Sequence, residues 1–250
     1  MNAPVTPPSL VERKKYDDRQ AHHIAGGIWW AGFCAFQGCT SHNPFLIIEG
    51  TEAVLLNPGS RAEEHCRQVR DKIASLIDPG HIQHIVILHH DPDWCASLPL
   101  FEKLADRNVK IYAPSAAIKP ISCYGCKNPI IGLDNGDSII LSTGRSLDYY
   151  DTPDLRSAGL GFIHDSTTGT LFTGNVFGHV AEPWNLYASP GSWRALTPCN
   201  VNPPWPKKAH LNALNKIERL SPQRICPRCG PVIEDDIEKY IEAARKMDID

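Results

Sequence analysis

Two histidines and two aspartates fall within five residues, His89 to Asp93, of the stretch ILHHDPDWCASLP. The stretch follows an apolar run, so the four side chains stand at the end of a buried strand. Imidazole nitrogens and carboxylate oxygens at this density read as a metal-ligand cluster. Trp94 closes the block where a further ligand would be expected, which leaves a working site, a rebuilt one or a remnant as the readings. Cys95 comes next and is one of nine cysteines. An odd count in a chain without a secretory leader argues against a disulfide framework and leaves metal binding, redox work or simple burial. Two C-x-x-C pairs stand out, Cys123-Tyr-Gly-Cys126 and Cys226-Pro-Arg-Cys229. Together they have the ligand number of a zinc or iron–sulfur site.

Such residues need strands and helices to hold them. IVILH is a buried strand leading into the cluster, and FLIIEG and EAVLLNPG are two short strands separated by the hairpin-like pair Gly50-Thr51. Apolar spacing predicts a helix after Ser60, its N-cap, through Ile77, and further helices over 98–106, 207–220 and 233–247. Strands are expected at 109–114, 138–141, 146–150, 160–165 and 169–178, and a Trp/Pro-rich segment runs from Glu182 to Pro206. Trp184, Trp193 and Trp205 are read as packing that segment, Cys66 as a helical and Cys199 as a loop residue without chemistry, and His22 and His23 as carrying little weight.

Composition removes several function classes. The chain has 250 residues, 42% of them hydrophobic, and a net charge of −3. That balance leaves no footprint for nucleic acid or an anionic membrane, and the apolar runs are far shorter than the ~20 residues of a membrane span. Residues 1–22 read as a polar, flexible arm without a leader peptide's apolar core. Residues 23–250 read as one α/β domain, and the expected location is cytoplasmic.

GGIWWAGF, CTSHNPFLIIEGTEAVLLNPG, HHDPDWCASLP, TGTLFTGNVFG and ICPRCGP occur in an order and spacing that resemble the metallo-β-lactamase superfamily. More narrowly, they resemble its oxygen-binding diiron branch, related to flavodiiron proteins, with Asn57 where that branch has Asp. The resemblance covers nearly the whole chain after about residue 23 and implies a four-layer αβ/βα sandwich. It also implies ligand positions. His89, Asp91 and Asp93 match the first block, with Asp at the second place where Glu is usual. The other four positions differ in kind: Trp94 and Cys229 stand for His, Arg156 for the loop His and Asn175 for the bridging Asp. A neutral amide cannot offset the repulsion of two cations, and a guanidinium adds fixed positive charge. Two metals ~3.5–4 Å apart are therefore not expected. Arg156 is expected to pair with Asp91 or Asp93.

The resemblance thus implies a non-hydrolytic metal protein that senses or handles O2, NO or redox state through iron or an iron–sulfur cluster, with zinc as the alternative ion. The assigned ligands are His89, Asp91, Asp93 and Cys229. Cys95, Cys34 and Cys39 are added sulfur candidates, because the loop bearing the last two would approach the same rim in this fold. Asn175, Arg156, Trp94 and His90 are assigned around the ligands. The Cys123 loop is expected away from the rim, as an ordinary turn or a separate redox pair. Flavodiiron proteins continue into an FMN domain that is not seen here, so the expected partners are a diatomic ligand, an external redox protein and a second copy of the chain. Two rival readings are a metal-free scaffold and a single-zinc hydrolase built on His89, Asp93 and Cys229.

Overall fold

The computed structural model describes residues 16–34, 41–152, 160–178, 184–196 and 206–247. The first sheet grows from the hairpin of β1 (His22–Ala25) and β2 (Ile28–Trp30), with β3 (Phe33–Cys34) and β4 (Ser41–His42) forming a small separate ribbon. β5 (Phe45–Glu49) and β6 (Glu52–Leu56) pair in register from Phe45↔Leu56 to Glu49↔Glu52. Gly50, at φ +59°, supplies the left-handed residue that the two-residue turn requires. β7 (Ile82–Val86), β8 (Lys110–Pro114) and β9 (Ile130–Leu133) then add in parallel, giving the order β1-β2-β5-β6-β7-β8-β9. Parallel neighbours need crossovers, supplied by α1 (Glu63–Ala74), by α2 (Pro92–Cys95) with α3 (Leu98–Leu104), and by α4 (Ile118–Ser122).

The second sheet has the order β10 (Ser138–Ile140), β11 (Ser146–Asp151), β12 (Gly161–Asp165), β13 (Thr170–Gly174), β14 (Arg224–Pro227), with β14 parallel to β13. α5 (Lys207–Leu220) and α6 (Ile237–Lys246) pack on each other, and each buries one face. The two sheets meet face to face, as the Phe45 and Phe172 rings 5.2 Å apart show. β6 (EAVLL) and β13 (TLFTG) are buried at every residue, as strands covered on both faces are. Helices outside and sheets inside make the expected four layers.

Two expected boundaries move. Ser60 does not cap α1: helix begins at Glu63, and the Ser60 hydroxyl pairs with His65 Nδ1 at 2.7 Å. Ile233 is not helical: it bridges Ile225 across a turn, and α6 starts at Ile237. A side-chain or strand partner won over local helical spacing in both cases. The last residues before β1 lie against the sandwich, with the Tyr16 ring 5.1 Å from His22 and the Lys72 ammonium donating to Asp18 O at 2.5 Å. No helix among the described residues is long and apolar enough to cross a membrane.

Candidate metal centre

The carboxyl ends of β6, β7, β13 and β14 converge on one rim, the edge where ligands gather in open α/β sheets. Asn57 directs the end of β7. It adopts φ +50°, which Asn tolerates better than most residues, and its Oδ1 accepts from Leu88 N at 2.8 Å. His89 follows at 0% exposure, with His90 stacked on it at 4.5 Å. His89 Nδ1 accepts from Asp91 N at 3.2 Å and lies 3.4 Å from Asp91 Oδ2. His89, His90 and Asp91 each offer a ligand atom, all within 4.8 Å of one another. They are the group of three or more potential ligands that the described residues bring together.

Asp93 takes a different course. Its carboxylate accepts from Arg228 Nη1, and Arg228 Nε donates to Asn175 Oδ1 at 2.7 Å. The same guanidinium stands 5.3 Å from the Trp94 ring centroid, and its side chain is 3% exposed. Trp94, Asn175 and Asp93, three positions where the resemblance expects ligands, thus surround one organic cation. Arg228 is placed firmly: its N–H donates to Gly174 O at 2.8 Å, and its own carbonyl accepts from Asn43 N at 2.8 Å. Asn43 Nδ2 ties both Pro227 O and Gly230 O at 2.8 Å.

The rim leaves polar atoms unused. His42 Nδ1, His90 Nδ1, Trp94 Nε1 and Asn175 Nδ2 are buried without a hydrogen-bond partner among the described residues. Buried polar atoms are normally paired, so these four leave hydrogen-bonding capacity open at the rim. His42 feels both Arg228 and Asp93. Burial, followed by the Arg228 charge, lowers its pKa to about 4 and keeps the ring neutral.

The assigned sulfur ligands do not join the group. Cys95 Sγ donates to Asp91 O at 3.5 Å, and burial holds its pKa up at about 12, so it is a thiol. Cys229 is wholly buried and Cys34 half-buried, and neither belongs to a cluster of three potential ligands among the described residues. Burial also raises the Cys226 thiol. Asp93 is engaged by Arg228, whereas His90, assigned a place around the ligands, lies within the group of three potential ligands. Cys39, Arg156, Cys199 and Trp205 lie outside the described residues. The Cys123 loop is the clearest correction. The Tyr124 hydroxyl donates to His90 O at 2.8 Å, so the loop reaches the rim rather than running away from it. Trp184 packs on Trp30 at 5.1 Å and Trp193 under Arg194, as expected for packing residues.

The described residues of the rim do not by themselves supply the ligands of a two-metal centre. The bridging position is a neutral amide, and a buried guanidinium holds the carboxylate on the second side. Sequence reasoning missed Arg228, although the residue stands inside the quoted ICPRCGP. Its signal was a cation beside a ligand position. His42 had no signal beyond its place in CTSHNP.

The chain belongs to the ODP family of beta lactamases, whose profile matches residues 40–230. A Synechocystis sp. (strain ATCC 27184 / PCC 6803 / Kazusa) relative, diflavin flavoprotein A 1, is 27% identical over 145 residues, 57% of this chain and 24% of its own length. A Nostoc sp. (strain PCC 7120 / SAG 25.82 / UTEX 2576) chain that carries a diflavin flavoprotein A 1 designation is 26% identical over 209 residues, 81% of this chain and 35% of its own. The chain thus spans about a third of the length of the first curated relatives it matches. Among solved structures, the metal-soaked Flv1 flavodiiron core from Synechocystis sp. PCC6803 is 20% identical with a TM-score of 0.79, covering 91% of this chain and 60% of that one. A peroxy diiron species of the chemotaxis sensor ODP is 18% identical with a TM-score of 0.71, covering 91% and 94%. These likenesses establish the fold as the metallo-β-lactamase-like core of flavodiiron proteins.

Proposed function

We propose that this chain is a non-hydrolytic module of the oxygen-binding diiron branch. In this reading it holds a single iron ion on His89, His90 and Asp91 and binds O2 or NO, or reports redox state, at that rim. The observation that carries the reading is the 4.8 Å grouping of those three ligand atoms beside an Arg228 that takes up Asp93. The names of the relatives, a flavodiiron core and an ODP sensor, support the choice of iron and of a diatomic ligand.

Bound there, iron would supply a coordination position for a diatomic molecule. The protein's own contribution is polarity. Buried N–H groups of Trp94 and Asn175 lack acceptors, and they share the rim with the Arg228 guanidinium. Preorganised donors favour a ligand that accepts hydrogen bonds. His42, held neutral, adds no competing charge. Asp93, already held by Arg228, is a poor ligand for the zinc hydrolase reading, and the described cysteines give no support to an iron–sulfur cluster. An external electron donor, a second copy of the chain and a working unit of residues 23–250 behind an arm of residues 1–22 belong to the same proposal.

The test is anaerobic purification followed by iron, zinc and sulfide analysis and an absorption spectrum on one sample, with and without NO. One iron per chain, no sulfide, a spectrum that responds to NO, and loss of the iron in His89→Ala are the expected results. Iron-free, zinc-free protein would overturn the proposal in favour of the metal-free scaffold. Two irons per chain, or iron with matching sulfide, would overturn the single-ion site.

A further inference from the structure

The pair Cys123 and Cys126 has no place in the rim's ligand group, yet its loop touches that rim. We infer that Cys123 and Cys126 are a reversible disulfide site, oxidised by exchange with a low-molecular-weight disulfide, and that closing the bond displaces Tyr124 from the backbone of His90.

The reasoning begins with access. Cys123 is exposed and Cys126 half-buried, both as free thiols. One can meet a reagent in solution and the other can resolve the mixed disulfide from behind. Neither shares a three-ligand metal group with other described residues, so exchange chemistry is open to the pair. The backbone allows closure. α4 ends at Ser122, and Gly125 turns the chain at φ +86° with nothing within 4 Å of its missing Cβ. The two cysteines are separated by only two residues, the C-x-x-C spacing across which reactive pairs close. Beyond the turn the chain is pinned. Lys127 N donates to the Glu102 carboxylate at 2.8 Å, as does Asn128 N at 2.6 Å, and Asn128 Nδ2 donates to Val109 O at 2.9 Å. Motion on closure therefore falls on the two residues between the cysteines, Tyr124 and Gly125.

Tyr124 carries that motion to the site. Its hydroxyl donates to His90 O at 2.8 Å and lies against the Cys95 thiol, which itself donates to Asp91 O at 3.5 Å. The loop's phenol thus holds His90 O directly and lies against the thiol that holds Asp91 O.

The reaction balances as follows. The Cys123 thiolate attacks a disulfide RSSR, forming a mixed disulfide and releasing RS⁻. Cys126 then loses its proton and displaces the second RS⁻. Two protein thiols lose two electrons in total, and RSSR becomes two RSH with the two protons.

The experiment equilibrates the full chain across ratios of reduced to oxidised glutathione, traps free thiols by alkylation and analyses tryptic peptides. The peptide ending at Lys127 contains Cys123 and Cys126 and no other cysteine. The expected result is a single transition in which this peptide escapes alkylation and becomes two hydrogens lighter. Backbone hydrogen exchange over residues 89–93 should rise with the same midpoint, and Cys123→Ser should abolish both changes. Tyr124→Phe should keep the disulfide but show raised exchange at every ratio. A peptide that stays reduced, a single stable glutathione adduct, or a bond from Cys95 to Cys126 would overturn the disulfide. A disulfide that forms without changing exchange at 89–93 would overturn the link to His90.

Discussion

Among the described residues two arginines are buried to the same degree, Arg145 and Arg228 at 4% exposure each, and their surroundings differ in kind. Arg145 lies in a closed network. Its guanidinium donates to both oxygens of Asp165, at 3.2 Å and 2.7 Å, to Glu49 at 2.7 Å and to Gly26 O at 2.7 Å. Asp165 is wholly buried and also accepts from Thr167 N at 3.2 Å. Arg228 lies in an open network, with one half-exposed carboxylate, one amide oxygen, and unpartnered nitrogens on His42, Trp94 and Asn175 nearby. A fully satisfied buried network rigidifies a core, whereas a partly satisfied one leaves polar atoms without partners. Burial of charge alone would have given both arginines the same role.

The sharpest test of this difference is stability. Arg145→Met should cost about 3–5 kcal/mol, because it strands the buried Asp165 charge, whereas Arg228→Met should cost about 1–2 kcal/mol, since Asp93 can turn to solvent. Denaturant titration of both variants checks this, and an equal or reversed order would break the contrast. Iron(II) at roughly 100 times its Kd should stabilise the wild type by about 2.7 kcal/mol. A thermal melt should show that gain retained in Arg228→Met and absent in His89→Ala.

A pH effect should follow at the open end. The folded pKa of His42 lies at about 4, below its ordinary 6.5, so the unfolded chain binds more protons between these values. Stability should be full above pH ~6.5 and fall by about 1–3 kcal/mol as pH drops to ~4. His42→Gln should flatten that part of the profile. The smallest effect belongs to Trp94→Phe, which removes an N–H that has no partner, so that its cost of about 1–2 kcal/mol comes from the space the smaller ring leaves. Trp30→Phe, by contrast, breaks the 2.8 Å bond to Asn43 Oδ1 that helps to hold the Arg228 loop, and should cost more.

Much of the fold was legible because its signals are local. The buried runs of β6 and β13, the Gly50-Thr51 turn and the apolar face of α5 each lie within one stretch of chain, and the order of the family blocks joined them. The change of residue kind at two expected ligand positions was legible too, in Asn175 and Trp94. Helix starts were less so, since Ser60 and Ile233 found partners that helical spacing does not encode.

The sequence by itself determined the αβ/βα sandwich, the rim on which the chemistry would sit and the chemical kinds of the groups placed there. Only the tertiary structure decided how those groups divide. Asp93 and Arg228 are 135 residues apart, Asn175 and Arg228 53, and His90 and Tyr124 34. Spacing in one dimension says nothing about which of several nearby carboxylates a guanidinium will meet. That choice is made when the β13 and β14 ends are packed beside β7. Arg228 then takes Asp93 and leaves His89, His90 and Asp91 as a group.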